Sequence, residues 1–151
     1  MFIKKNINTL MRNNFSIIFI GSFLAIIVAY FAQYIGKLEP CSLCIFERIP
    51  YLALQCIALV AIICPRMHKV MTYMVIAVGL IEIILALYHV AIEHYIFTES
   101  LVCHATGKAC SEVAFRFMNL SMAEWNLIYI ILLLYYFIRL ERNNGTFTRG
   151  S

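Results

Sequence analysis

Four stretches of roughly 20 mostly apolar residues divide this chain, each the length that a helix needs to cross the hydrocarbon of a bilayer. They run from Phe15 to Ile35, Ile45 to Cys64, Val70 to Ile92 and about Met122 to Ile138. Composition agrees. Of 151 residues, 63% are hydrophobic and 13% charged, with a mean hydropathy of +0.85, whereas a soluble domain is about 45–50% apolar. With no Gly/Ser/Pro-rich linker, low-complexity tract or internal repeat to divide it, residues 1–151 are expected to form one membrane domain with short tails. The expected fold class is all-α: a polytopic membrane protein built as a bundle of four transmembrane helices.

Orientation follows from Lys and Arg, because basic segments stay on the cytoplasmic side. Lys4, Lys5, Arg12, Arg66, Lys69, Arg139, Arg142 and Arg149 fall in the two tails and the turn between the second and third stretches. Only Lys37, Lys108 and Arg116 fall in the loops opposite, among Glu39, Glu93, Glu99, Glu112 and Glu124. Both termini are therefore expected in the cytoplasm, with loops 36–44 and 93–121 outside. The first stretch is too long for a signal-peptide core and lacks a small-residue cleavage site, so it reads as an uncleaved helix. The net charge of +4 is a product of this topology and gives no argument for nucleic acid.

On this map Cys41, Cys44, Cys103 and Cys110 lie on the outer side, where disulfides persist. Cys56 and Cys64 do not. Eight residues apart on one helix, they stand about 12 Å from each other, beyond the roughly 7 Å Cα separation a disulfide spans. They read as small apolar residues buried in the bundle. Cys41-Ser-Leu-Cys44 is a C-x-x-C just before a helix, where the positive end of the helix dipole favours thiolate, most of all at Cys44. Cys103 and Cys110 form a second pair in a loop that Gly107 allows to turn. Taken alone that pair suits a static staple; beside a C-x-x-C it suits thiol exchange. Zinc is the competing use of the four outer thiols, but six residues lie between Cys103 and Cys110, where zinc spacings hold about two to four. No metal is expected.

Charge inside an apolar helix needs a reason. Arg48 is one turn beyond Cys44 on the same face, where a fixed cation stabilises a thiolate and any anion beside it. The alternative is an arginine that snorkels to the interface. Glu47 opposes a thiolate unless it faces water or pairs with Arg48. Gly79, Glu82, Ala86 and His89 make a small-and-polar stripe that should face the bundle. His94 sits at the outer end of the third helix, with His89 about 7.5 Å deeper. After Cys110, Val113, Ala114, Phe117, Met118 and Met122 fall at helical spacing, which predicts a short interfacial helix in the second outer loop.

PCSLCIFER, followed by a helix, a basic turn, another helix, a cysteine-bearing outer loop and a fourth helix, resembles the DsbB family of bacterial inner-membrane disulfide-generating proteins. The resemblance runs from about Phe15 to Arg139. It is most specific at Cys41 to Arg48, matching C-x-x-C-[I/L]-[aromatic]-[E/Q]-R, and at Glu93-His94; CSEVAFRFMNLSMAEW is similar to the stretch after that family's last essential cysteine. What it implies is a thiol:quinone oxidoreductase of the bacterial inner membrane with its redox loops in the periplasm. Electrons would pass from a soluble periplasmic DsbA-like protein of thioredoxin fold to the second cysteine pair, then to the first, then to ubiquinone or menaquinone. By matched position Cys103 meets the partner's thiolate, Cys110 resolves toward Cys41, and Cys44 faces the quinone beside Arg48 and His94, with His89 counted on the quinone side. The short spacing of Cys103 and Cys110 departs from the best-studied members. Two other readings stay open: a dedicated, DsbI-like sibling serving one partner, and a non-enzymatic membrane protein whose outer cysteines are ligands or staples.

Overall fold

The computed structural model describes residues 2–96, 103, 110–111 and 115–143, with side chains from residue 13 onward. The first apolar stretch lies in α1, Phe2–Tyr34. It stops where Gly36 and Lys37, the latter at φ 52°, fold the chain back so that the Gly36 amide bonds Phe31 O at 3.2 Å. The second stretch is two helices rather than one: α2, Ser42–Phe46, and α3, Arg48–Ile63. Pro50 accounts for the break. It has no N–H to give the carbonyl of Phe46, and its ring crowds that carbonyl, so helical bonding is interrupted at Glu47.

Proline acts again at the end of α3. Cys64, the residue before Pro65, leaves the helical region at φ −115° and ψ 76°. A single 3₁₀ turn, Pro65–Met67, leads into α4, His68–Glu93. The final helix, α5, covers Met122–Asn143. Its start carries a signal in Ser-Met-Ala-Glu: the Ser121 amide gives to Glu124 Oε2 at 2.7 Å and the Glu124 amide to Ser121 Oγ at 3.1 Å, a reciprocal capping box.

The predicted interfacial helix is corrected over residues 116–121. There the chain forms a two-stranded antiparallel hairpin, β1 Arg116–Phe117 against β2 Leu120–Ser121. Met118 and Asn119, at φ 52° and 68°, are the paired positive-φ residues of a tight hairpin turn, which a right-handed helix forbids. Phe117 and Met118 are exposed, and Trp125 Nε1 bonds Phe117 O at 3.1 Å to hold the hairpin on α5. The expected positions Val113 and Ala114 lie outside the described residues.

Four segments are long and apolar enough to cross a membrane: Asn13–Tyr34, Ser42–Ile63, Pro65–Glu93 and Met122–Asn143. They pack in a ring in the order α1, α3, α4, α5, which closes on α1. Phe15, Ile18, Leu54, Ala58, Val75, Ile130 and Phe137 fill its centre. Outside, Ile20, Phe31, Ile84 and Leu132 are each more than half exposed, a surface that acyl chains cover. This is a four-helix bundle and a multi-pass membrane protein.

The stripe of Gly79, Glu82, Ala86 and His89 is buried as its spacing predicts. At Gly79 an added Cβ would stand 3.0 Å from Leu134 Cδ1, so a larger residue there would make the Leu134 side chain give way where α4 and α5 meet. Cys56 and Cys64 correct the expectation of burial: both are free and exposed on α3 and at its end. A thiol is apolar enough to face lipid.

Candidate functional site

Cys41 caps α2. Its backbone is extended, at φ −72° and ψ 167°, and its sulfur accepts the Cys44 amide at 3.3 Å. The two sulfurs stand 2.8 Å apart. Cys103 and Cys110 are joined by a disulfide with Cα atoms 5.5 Å apart. Both pairs meet in one apolar nest: Cys41, Leu43, Ile92, Cys103 and Cys110 are buried together, with Cys44 and Tyr88 packed against them. Thiols far apart in the chain are thus collected where the start of α2 meets the end of α4.

The capping geometry favours the other member of the C-x-x-C from the one expected. The Cys44 amide points at Cys41, so it is the Cys41 sulfur that receives the helix end. The Cys44 thiol, hydrogen-bonding Cys41, does most to draw its pKa down from 9.0 to about 4; burial opposes this and the His89 ring assists it.

His89 reaches Cys41 from α4, with Nε2 3.5 Å from the sulfur. Its Nδ1 lies 2.8 Å from Glu47 Oε1. Glu47 therefore neither faces water nor pairs with Arg48; it is buried, and its second oxygen accepts Asn126 Nδ2 at 3.2 Å. Asn126, from α5, also donates to Glu82 Oε1 at 2.9 Å and accepts the Tyr51 hydroxyl at 2.7 Å. Sequence reasoning missed Glu47 and Asn126 as members of this network. The available signal was a polar residue at membrane depth, which implies a partner inside the bundle.

Arg48 and His94 are held elsewhere. The Arg48 guanidinium carbon lies 4.7 Å over the Tyr30 ring of α1. Its Nε is buried with no hydrogen-bond partner among the described residues, and Ile45, Phe46 and Ile49 beside it in the chain are exposed. A flat apolar ring with a carbonyl oxygen fits such a place: apolar surface for the ring, an unmet donor for the oxygen. His94 is half exposed and bonds Glu124 Oε1 at 3.1 Å.

A four-cysteine zinc set would require the Cys103–Cys110 disulfide to be opened first. Donor atoms of Cys41, Cys44 and His89 lie within 4.8 Å of one another. Sulfurs 2.8 Å apart are closer than the about 3.8 Å between two thiolates on one tetrahedral zinc. Cys41 and Cys44 would have to move apart before both sulfurs could ligate one ion.

The family model for disulfide bond formation protein DsbB matches residues 11–140. The chain belongs to the DsbB family. Among its relatives, the disulfide bond formation protein B of Stutzerimonas stutzeri (strain A1501) is 28% identical over 141 residues, covering 78% of this chain and 86% of that protein. An uncharacterized protein of Rickettsia prowazekii (strain Madrid E) is 31% identical over 133 residues, covering 75% of this chain and 77% of that one. Membership of the DsbB family makes the chain a membrane oxidoreductase of disulfide chemistry, in a family that works with quinones and with DsbA-like partners.

Proposed function

We propose that this protein is a thiol:quinone oxidoreductase that reoxidises a periplasmic DsbA-like dithiol protein. The observation that carries it is the shared nest: an open C-x-x-C at a helix start, with a histidine on its first sulfur, buried against a closed second pair. Both pairs are needed for a relay, and a relay needs them adjacent.

The partner's thiolate attacks Cys103, and Cys110 leaves. The partner's second thiol then releases the partner as a disulfide and leaves Cys103 and Cys110 reduced. Their electrons move inward when Cys110 attacks Cys41, displacing Cys44, and Cys103 closes again on Cys110. A bound quinone supplies an acceptor for two electrons and two protons, which the Cys41 and Cys44 thiols together provide. Arg48 binds and orients an acceptor oxygen through its unmet Nε donor, and Tyr30 holds the guanidinium flat.

The basic tails and turn support cytoplasmic termini and periplasmic cysteine loops, in the bacterial inner membrane. The test is quinone-dependent turnover by the purified full chain with a reduced DsbA-like protein, using ubiquinone and menaquinone in parallel. Turnover should disappear with serine at any of Cys41, Cys44, Cys103 or Cys110. Turnover that survives serine at both Cys103 and Cys110 would remove the relay.

A further inference from the structure

We infer that His89 is the acid-base group of Cys41 and that Glu47 positions it, a cysteine–histidine–glutamate arrangement drawn from the two ends of α2 and from α4. The inference rests on the relay proposed above and adds a proton path to it. His89 is 2% exposed and Glu47 7% exposed, so their contact is sheltered from water. With Glu47 Oε1 2.8 Å from Nδ1, a carboxylate fixes the ring with Nδ1–H donating, which leaves Nε2 free to take a proton from the sulfur 3.5 Å away. Asn126 holds the other carboxylate oxygen, so Glu47 cannot swing away without losing a bond.

In this arrangement His89 serves Cys41, whereas the resemblance counted it on the quinone side. Both ring nitrogens are engaged inside the protein, Nδ1 by Glu47 and Nε2 by Cys41, with Glu93 Oε1 4.0 Å from Nε2. The groups that face the ring are Cys41 with Cys44 behind it, Glu47 from the α2–α3 junction, and Glu93 from its own helix. Asn126 links this set to Glu82 and Tyr51. Positive charge on the ring is met by Glu47.

The step that needs this ring is release of Cys41 from the outer pair. Cys103 attacks Cys110 in the Cys110–Cys41 mixed disulfide. The Cys103–Cys110 bond forms, the Cys110–Cys41 bond breaks, and the electron pair leaves on Cys41 Sγ. The outer pair is oxidised, Cys41 is reduced, and the proton on His89 Nε2 faces the departing sulfur, so that Cys41 leaves as a thiolate paired with the ring and is ready as the next nucleophile.

The test reads Cys41 itself. In the full-length Cys44→Ser protein, with the outer disulfide intact, alkylation of Cys41 by iodoacetamide is followed by peptide mass spectrometry from about pH 3 to about pH 10, a range that brackets the low parental midpoint. His89→Gln should move the midpoint of the rate profile up by about 1 pH unit or more. Glu47→Gln should move it the same way by less, and Glu47→Asp should restore most of the parental profile. Arg142→Gln, in the last turn of α5 far from the nest, should leave the midpoint in place. An unmoved midpoint in both His89→Gln and Glu47→Gln overturns the inference; if His89→Gln does not fold, the isosteric Glu47→Gln decides alone. Quinone reduction by the parent protein separates the two readings. Turnover with an unmoved midpoint sinks only the role of His89, whereas a moved midpoint without turnover keeps that role and sinks the relay.

Discussion

The guanidinium of Arg48 lies over the ring of Tyr30, 4.7 Å from its centroid, so a charge at membrane depth is held by a helix that carries no cysteine. If Arg48 serves the acceptor, Arg48→Ala should raise the quinone KM by about 10-fold or more, the loss expected for a charge-assisted hydrogen bond. One round of exchange with a dithiol partner should survive. Tyr30→Leu should give a smaller rise of about 2–5-fold, the worth of an exposed cation–π contact. Wild-type behaviour of Arg48→Ala across a quinone titration would leave only a snorkelling anchor.

Thiol counting checks the redox state. Denatured without reductant, quinone-free protein should alkylate at Cys41, Cys44, Cys56 and Cys64, the free cysteines of the structure. Prior incubation with excess quinone should leave only Cys56 and Cys64 reactive. Reactive Cys41 and Cys44 after that incubation would mean that the pair does not deliver electrons to the acceptor.

Asn126 ties three helices through Glu47, Glu82 and Tyr51. Asn126→Ala strands buried polar atoms on each, and every stranded group costs about 1–3 kcal/mol. The variant should unfold in detergent well below the parent temperature, while Asn143→Ala, at the exposed end of α5, should not. Equal melting of the two would show that the bridge contributes nothing.

The four spans and the buried stripe were legible because apolar length and helical spacing are local properties of the chain. Pro50 was equally visible, yet the break it makes at Glu47 depends on which carbonyl it faces. That break lets Glu47 turn into the bundle toward His89 while Arg48 reaches Tyr30. Contacts of this kind join residues such as Glu47 and His89, 42 positions apart, and no periodicity encodes them. The segment after Cys110 misled for a different reason: apolar spacing fits a helix, but Met118-Asn119 takes a turn whose positive φ values spacing cannot register.

Cys41 also sets a pH dependence. Its folded pKa of about 4 lies below the ordinary 9.0, chiefly through the Cys44 hydrogen bond. Between those values the folded protein binds fewer protons than the unfolded chain, so this contribution to stability is full above about pH 9 and lost as pH falls through about 4. The melting temperature of quinone-free protein should therefore rise between about pH 5 and about pH 8 more steeply than that of Cys41→Ser. Parallel curves would count against a thiolate at Cys41.

Cys103 and Cys110 are 0% and 1% exposed, so a partner's thiolate reaches either only after the groups that cover them are displaced. Exchange passes through a covalent mixed disulfide, which persists when the resolving thiol is missing. Cys110→Ser should therefore accumulate an adduct between Cys103 and a periplasmic dithiol protein, visible on non-reducing gels and absent when Cys103 is also replaced. Cys110 is assigned as the resolver by matched position, and eleven residues on Ser121 begins the capping box of α5 and bonds Glu93 of α4. An adduct with Cys103→Ser and none with Cys110→Ser would reverse the two roles. No adduct from either variant would leave the outer pair a static staple, and the relay would lose its entrance.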